Sequence, residues 1–570
     1  MARSELIAPV IAGALLLWSL PALATVQLEG HGPLAGSSLS ISDRFALRYY
    51  SVDHTLPGFE DSHPNLHDYI EEVNRINLLL NKGGFAAGAQ IDQVGLFANR
   101  YYLDDELYHS NQLYEPGIRS PWPDAYVGLE KLYLRNKGEY LELAVGDGYV
   151  SFGRGIALNL VRNTNIDLDS SLRGVRAVVR SGNWDFTGAS GLTNPQQVQL
   201  DNRNVGIHTD NKHMVSGVRA ERFGLGKFNV GAHGVVYSFA RGEDVESPGF
   251  TRYQQPVDVF VGGATVEGFG LAGIDLIAEF DWFEYRSPDF FGGEEPEAAY
   301  AAYASASAYP GKAVLLLEAK HYINTERINI FTGIDNYEVA VAPTLEYERV
   351  ITEDSSAAVN SNDITGVRLR MDYPIKPGVL IPYVSVAAFH DRELGGLHFN
   401  QAPETIVHPV VGVQWLGKEA HVIANAGGRA DIRGDDTGAD VNAHFDVDLQ
   451  LPAGPLGSLE LSSAFMHFVW GENPAQQTDF TDMVNALALH ATDKWTFILW
   501  QDFSDNPLIQ STGNVAENIY GAAEVQFKPS SALTTSLFYG AYKAGIRCAG
   551  GQCRSLPGFE GLRFGLNGNF

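Results

Sequence analysis

"VNAHFDVDLQL", Val441 to Leu451, decides the fold. Val441, Ala443, Phe445, Val447, Leu449 and Leu451 are apolar, and the residues between them (Asn442, His444, Asp446, Asp448 and Gln450) are polar or charged. The period is two, that of a strand with two unlike faces. An unbroken run of this length exceeds the usual soluble strand of about 5–6 residues. It matches the ~9–11 residues of a tilted membrane-spanning strand.

The unit recurs along the chain. "YVGLEKLYLRNKGEYLELAVG" turns at Asn136-Lys137-Gly138, and "GVRLRMDYPIKPGVLIPYVSVAAF" sets Val367, Leu369, Met371 and Tyr373 against Arg368, Arg370 and Asp372. "MVNALALHATDKWTFILW" turns at Thr492-Asp493-Lys494, and "NIYGAAEVQFKPSSALTTSLFYGAY" at Lys528-Pro529-Ser530. Tight Gly, Pro and Asn turns also mark "RSGNW", "FGLGKF", "GFGLAG", "YPGK" and "WLGK". Between these hairpins lie longer polar stretches: Tyr101–Asp124, Asn194–His213, Gly242–Gln255, Ser287–Glu297 and Arg392–Glu404. Short turns alternating with long loops are the asymmetry of an outer-membrane barrel, with short periplasmic turns and long external loops. A string of β-sandwich domains lacks it.

Counting segments predicts an all-β, closed antiparallel transmembrane barrel of roughly 22–26 strands. An even number is required, and 24 is the central reading. Parity followed forward from Tyr69 and backward from Phe570 does not meet cleanly across residues 322–362, which hold either an extra strand or a folded external loop.

Bulk properties agree. Arg3, the apolar run Leu6–Leu20 (broken only by Ser19), Pro21 and Ala22-Leu23-Ala24 form a secretory signal peptide, with cleavage expected after Ala24. The expected organisation is signal 1–24, a short segment 25–38 and a single barrel 39–570, destined for the bacterial outer membrane. The run is too short for a spanning helix, which needs about 20 residues. No later stretch offers 18 uninterrupted apolar residues, which argues against a helical membrane protein and leaves a barrel open. With 40 Lys and Arg against 68 Asp and Glu, the formal charge of −28 argues against nucleic acid and anionic headgroups as general partners.

In such a barrel the outward set meets lipid and the inward set meets water. Glu142, Arg368, Arg370, Asp372, His444, Asp446 and Asp448 are therefore expected to face the lumen, with Arg154 of "FGRGIAL" among the inward charges. Such side chains either set pore selectivity or pair with one another along the wall. An acidic lumen would favour cations.

The C-terminal "FEGLRFGLNGNF" resembles the closing strand of outer-membrane barrels, which ends in Phe after alternating apolar residues. Phe564, Gly565, Leu566 and Phe570 match that assembly signal, and Gly568 departs from it. The resemblance implies recognition by the barrel-assembly machinery. Leu562, Phe564, Leu566 and Phe570 are expected toward lipid, with Arg563, Asn567 and Asn569 toward water. "VGDGYVSFGRGIALNLVRNTNIDLDSSLRGVR", Val145–Arg176, is similar to a poorly characterised family of large outer-membrane proteins of unknown function, with "APTLEYE", Ala342–Glu348, as a second shared element. This resemblance implies a barrel and little about activity.

Cys548 and Cys553 in "RCAGGQC" are expected to form a disulfide in an oxidising compartment. A metal or redox pair would want CxxC spacing. Asp61, His63, His67 and Asp68 are of types that suit zinc or copper, but Pro64 and the loop context favour a solvated segment, so no metal site is assigned. The acidic runs "LDDEL" and "GGEEPE" read as solvated loops before they read as cation sites. No G-x-S-x-G, H-E-x-x-H or P-loop appears, so neither an enzyme nor a cofactor is expected. The expected function is a porin-like channel or conduit for a polar solute. A partner-dependent export or uptake barrel, with periplasmic partner proteins, and a surface scaffold acting through its loops are the alternatives. The expected surroundings are outer-membrane lipid, with no nucleic acid.

Deleting Phe570 is expected to lower outer-membrane levels of the chain far more than its small burial would suggest, as read by immunoblotting of membrane fractions. Normal levels of the truncated chain would refute the assembly role.

Overall fold

The computed structural model describes residues 26–28, 36–52, 68–98, 124–163, 168–197, 213–238, 258–286, 299–323, 364–391, 404–418, 420–433, 439–470, 478–505, 519–542, 545–549, 552–556 and 559–569. These form a closed antiparallel barrel of 24 strands. The first wall strand, Ser37–Val52, pairs on one side with Asp68–Lys82 and on the other with the last, Phe559–Asn569, in the register Arg44↔Asn569 to Val52↔Gly561. Every strand between is bonded to its neighbours in sequence. Closure gives each backbone N–H and C=O of the wall an internal partner, as a membrane requires.

The stretch that broke parity adds no strand to this wall. Val314–Ile323 pairs directly with Ile364–Asp372, so residues 324–363 connect two adjacent strands. The predicted turn at residues 528–530 lies slightly later: the strand runs through Ser530, with an irregularity between Phe527 and Ser530, and Ser530 pairs with Leu533. A bulge beside Pro529 lets the wall absorb the one extra residue on this strand.

Strand period sorts the side chains. Val127, Val218, Val411, Leu499 and Tyr539 stand 57–67% exposed on the outer face. Beside the short turns that face also carries Phe85, Trp184 and Trp495. Trp184 stacks on Phe186 with ring centroids 5.7 Å apart, and Trp495 meets Phe527 at 4.4 Å. A tall apolar band edged by aromatics is the exterior of a transmembrane barrel. Inward positions alternate with these and carry Arg, Asp, Glu, Asn and His.

On the closing strand Phe564 is exposed outward, and Leu566 packs against Phe45 and Leu47. Arg563 lies over the Phe538 ring at 4.9 Å and 3.8 Å from Glu524. Gly565 faces Ser536 closely enough that a Cβ would meet its Oγ at 2.6 Å. Phe570 lies outside the described residues, as do the expected signal segment 1–24, Asp61, His63 and His67, both acidic loop runs and Ala342–Glu348. Asp68 opens its strand. Cys548 and Cys553 sit directly opposite one another in a separate two-stranded hairpin, Gly545–Ala549 with Gln552–Leu556.

Leu499→Arg places a charge at the middle of the lipid-facing band. It is expected to destabilise the folded barrel by roughly 2–4 kcal/mol, read as a shift of the urea unfolding midpoint in lipid vesicles.

Candidate functional site

The wall strand Leu141–Gly148 stops about halfway up. Its lower part pairs with Tyr133–Lys137 on one side and its whole length with Leu172–Val179 on the other. After Gly148 the chain leaves the wall and enters the lumen, where Val150–Phe152 and Leu158–Leu160 form a small hairpin of their own. It returns at Arg162–Asn163, which pair with Leu168 and Asp169. Gly153 at φ 57° and Gly155 at φ 91° make the hairpin tip, a conformation that L side chains resist.

The hairpin is apolar, and so is the wall against which it lies. Phe152 and Ala157 are fully buried, with Val150, Ile156, Leu158 and Leu160 almost so. They share one cluster with inward wall residues that include Val215, Val235, Val261, Phe283, Tyr322 and Phe389. The Tyr237 hydroxyl donates to the Ala157 carbonyl at 2.6 Å. Gly217 makes room for the hairpin: a Cβ there would stand 2.7 Å from Phe152 Cε2.

Under the tip lies a group of ionisable residues from two wall strands, Phe228–Ser238 and Ile274–Arg286, that flank the strand Asp258–Leu271. His233 Nε2 and Asp281 Oδ1 are 2.5 Å apart, and both side chains are wholly buried. Glu279, 3% exposed, accepts the backbone N–H of Arg154. The Phe152 ring covers His233 at a centroid distance of 6.0 Å. Arg154, expected among the inward charges, is thus carried on the hairpin rather than on the wall, with its guanidinium 5.9 Å from the Tyr303 ring centroid.

The departure of the chain leaves a seam in the wall. Above Tyr133, the strand Asp124–Lys137 has no strand partner on that side among the described residues. Side chains supply the missing hydrogen bonds. Asp147 accepts the Leu132 N–H at 2.8 Å, Asn194 donates to the Glu130 carbonyl at 2.9 Å, and Arg173 donates to the same carbonyl. Asn194 also donates to Asp147 at 2.9 Å, and Arg173 Nε lies 3.1 Å from that carboxylate. Lys131 Nζ sits 2.5 Å from Asp169 and 2.9 Å from the Tyr149 hydroxyl, which itself donates to Asp169 at 2.8 Å.

The charged residues expected at the lumen are mostly held in pairs. Glu142 meets Arg176 at 2.9 Å and Arg180 at 3.3 Å. Arg368 Nε donates to Glu318 at 2.7 Å. Arg370 pairs with Asp372 at 2.8 Å and lies 4.4 Å from the Tyr383 ring centroid. His444 is 2.8 Å from His408 and 3.3 Å from Asp446, and Asp448 stands 3.5 Å from His421. None of these belongs to the group beneath the hairpin. His233, Glu279 and Asp281 were missed, although a signal was there. "VVY" at Val235–Tyr237, "VFV" at Val259–Val261 and "DWF" at Asp281–Phe283 place apolar side chains on both faces, which marks a strand covered on both sides.

Gly153→Ala forces a side chain into the left-handed region, at roughly 1–2 kcal/mol, and pushes a Cβ into the Glu279 carboxylate. The variant is expected to fold as a barrel yet become cleavable between Tyr149 and Val161 by added protease, where the native barrel resists. Equal resistance would show that the tip is not what holds the hairpin.

No family model matches the chain, and no curated protein matches it. Several solved structures are similar. The outer membrane protein OpdK from Pseudomonas aeruginosa is 13% identical over 72% of this chain and 97% of that one, with a TM-score of 0.33. The siderophore receptor PirA from the same organism is 7% identical over 93% of this chain and 80% of that one, with a TM-score of 0.41. OccK9 (OpdG), also from P. aeruginosa, is 15% identical over 79% and 97%, with a TM-score of 0.35.

Proposed function

We propose that the chain is a bacterial outer-membrane channel whose lumen is closed at rest by its own hairpin, Tyr149 to Val161. One observation carries this reading: an apolar segment leaves the wall of a transmembrane barrel and packs against the inner face at mid-depth. Barrels larger than 16–18 strands are wide enough for an aqueous channel and are often plugged. Here the occlusion comes from within the wall sequence. Each fully buried Val, Leu, Ile or Phe is worth roughly 1.5–3 kcal/mol, and the hairpin buries five of them. Thermal motion alone releases such a segment rarely, so opening calls for a ligand, a partner or a pull from the periplasm.

The rest of the lumen supports passage of a polar solute. Many of its charges are paired, across neighbouring strands as Arg75 with Asp92 at 2.6 Å and Arg368 with Glu318, or along one strand as Arg370 with Asp372. Paired charges give a hydrated wall with a weak net field, and so modest ion selectivity. Lipid contact through the apolar band and insertion by the barrel-assembly machinery belong to the same proposal.

Planar-bilayer recording tests it. The native barrel is expected to conduct little. A variant in which Gly-Ser linkage replaces residues 150–160 is expected to conduct at least about tenfold more, as a wide barrel without its plug would. Large conductance from the folded native barrel would overturn the closed state, and none from the folded deletion variant would overturn the channel.

A further inference from the structure

Among the described residues no Lys or Arg forms an ion pair with Glu279 or Asp281, and within the group His233 contacts Asp281. Each of the three keeps a buried polar atom without a hydrogen-bond partner: His233 Nδ1, Glu279 Oε1 and Asp281 Oδ2. One ligand atom from each residue lies within 4.8 Å of the other two. Two carboxylates and an imidazole removed from water are costly unless a positive charge or full hydrogen bonding compensates them.

We propose that these three side chains form a binding site for a divalent cation of the zinc type. The donor set argues for the ion class. Calcium and magnesium take oxygen ligands almost throughout, whereas an imidazole with carboxylates suits zinc, cobalt and their neighbours. Three protein ligands leave a fourth position for water. The cation replaces the direct His233–Asp281 hydrogen bond with two bonds to metal. Glu279 is already oriented for the task, because the Arg154 N–H holds Oε2 and leaves Oε1 unpartnered. The surrounding backbone is cut back to fit. A Cβ at Gly153 would strike Glu279, and one at Gly263 would strike Asp281 and lie 2.5 Å from His233 Nε2. Since Glu279 touches both the ion and the hairpin tip, the bound cation braces the hairpin on the wall. Ion binding itself stands whether or not the barrel conducts.

The test uses the full barrel in detergent, with folding checked by its mobility on unheated gels. The protein is stripped with chelator and given Co2+ alone, in one arm after folding and in a second during refolding, since the site is closed to solvent. One-to-one Co2+ retained through gel filtration, with the visible absorption of a nitrogen- and oxygen-ligated ion, is expected in at least the second arm. His233→Ala and Glu279→Gln are each expected to weaken Co2+ binding at least about 100-fold, beyond the 10–100-fold effect of a residue that only orients a ligand. A natively folded barrel that holds no stoichiometric Co2+ in either arm would overturn the site, and this holds even if both variants fail to fold. So would folded variants with native affinity.

Discussion

The constraint on which this structure depends is that no backbone N–H or C=O can be left unpaired in hydrocarbon. The wall obeys it by closing Ser37–Val52 onto Phe559–Asn569. That closure fixes an even strand number and returns both ends of the wall to the side of the short turns. It also explains the seam. Where the chain abandons the wall after Gly148, the neighbouring strand loses its ladder. Asp147, Arg173 and Asn194 then supply side-chain hydrogen bonds to Leu132 and Glu130. Polar residues on that face make sense only as substitutes for a missing strand.

Departure from the wall creates the interior site. A barrel of this width meets water on its inner face, so inward residues are ordinarily polar and satisfied by ion pairs such as Glu142 with Arg176. The hairpin replaces water with Phe152, Leu158 and Leu160 over one sector, and the wall answers with Val215, Val235, Val261 and Phe283. Charged groups caught beneath such a lid sit in a dry environment that their partners elsewhere in the lumen avoid. His233, Glu279 and Asp281 acquire their chemistry from that cover rather than from their spacing in the chain.

Much of the wall was legible in the sequence. The period of two in Val441–Leu451, the glycine turns and the long polar connections set the architecture and the strand number. Parity alone puts Arg368, Arg370 and Asp372 on one face of their strand, because a strand's faces are fixed by counting. Residues 322–362 resisted the count because parity cannot distinguish a strand from a long connection between adjacent strands. The pairing of Arg368 with Glu318 was not legible either, since cross-strand partners depend on register set by distant turns.

The sequence by itself determined that this chain alternates, closes into a barrel and carries its apolar face outward, because these properties are local and repeat along the strands. Only the tertiary structure decided that "GYVSFGRGIALNL" forms a hairpin packed inside the barrel rather than a strand of its wall, and that His233, Glu279 and Asp281 meet beneath it. The physical reason is that burial inside a barrel depends on what fills the lumen. The segment that fills it is separated from those three residues by the intervening wall strands, across which no sequence period reaches.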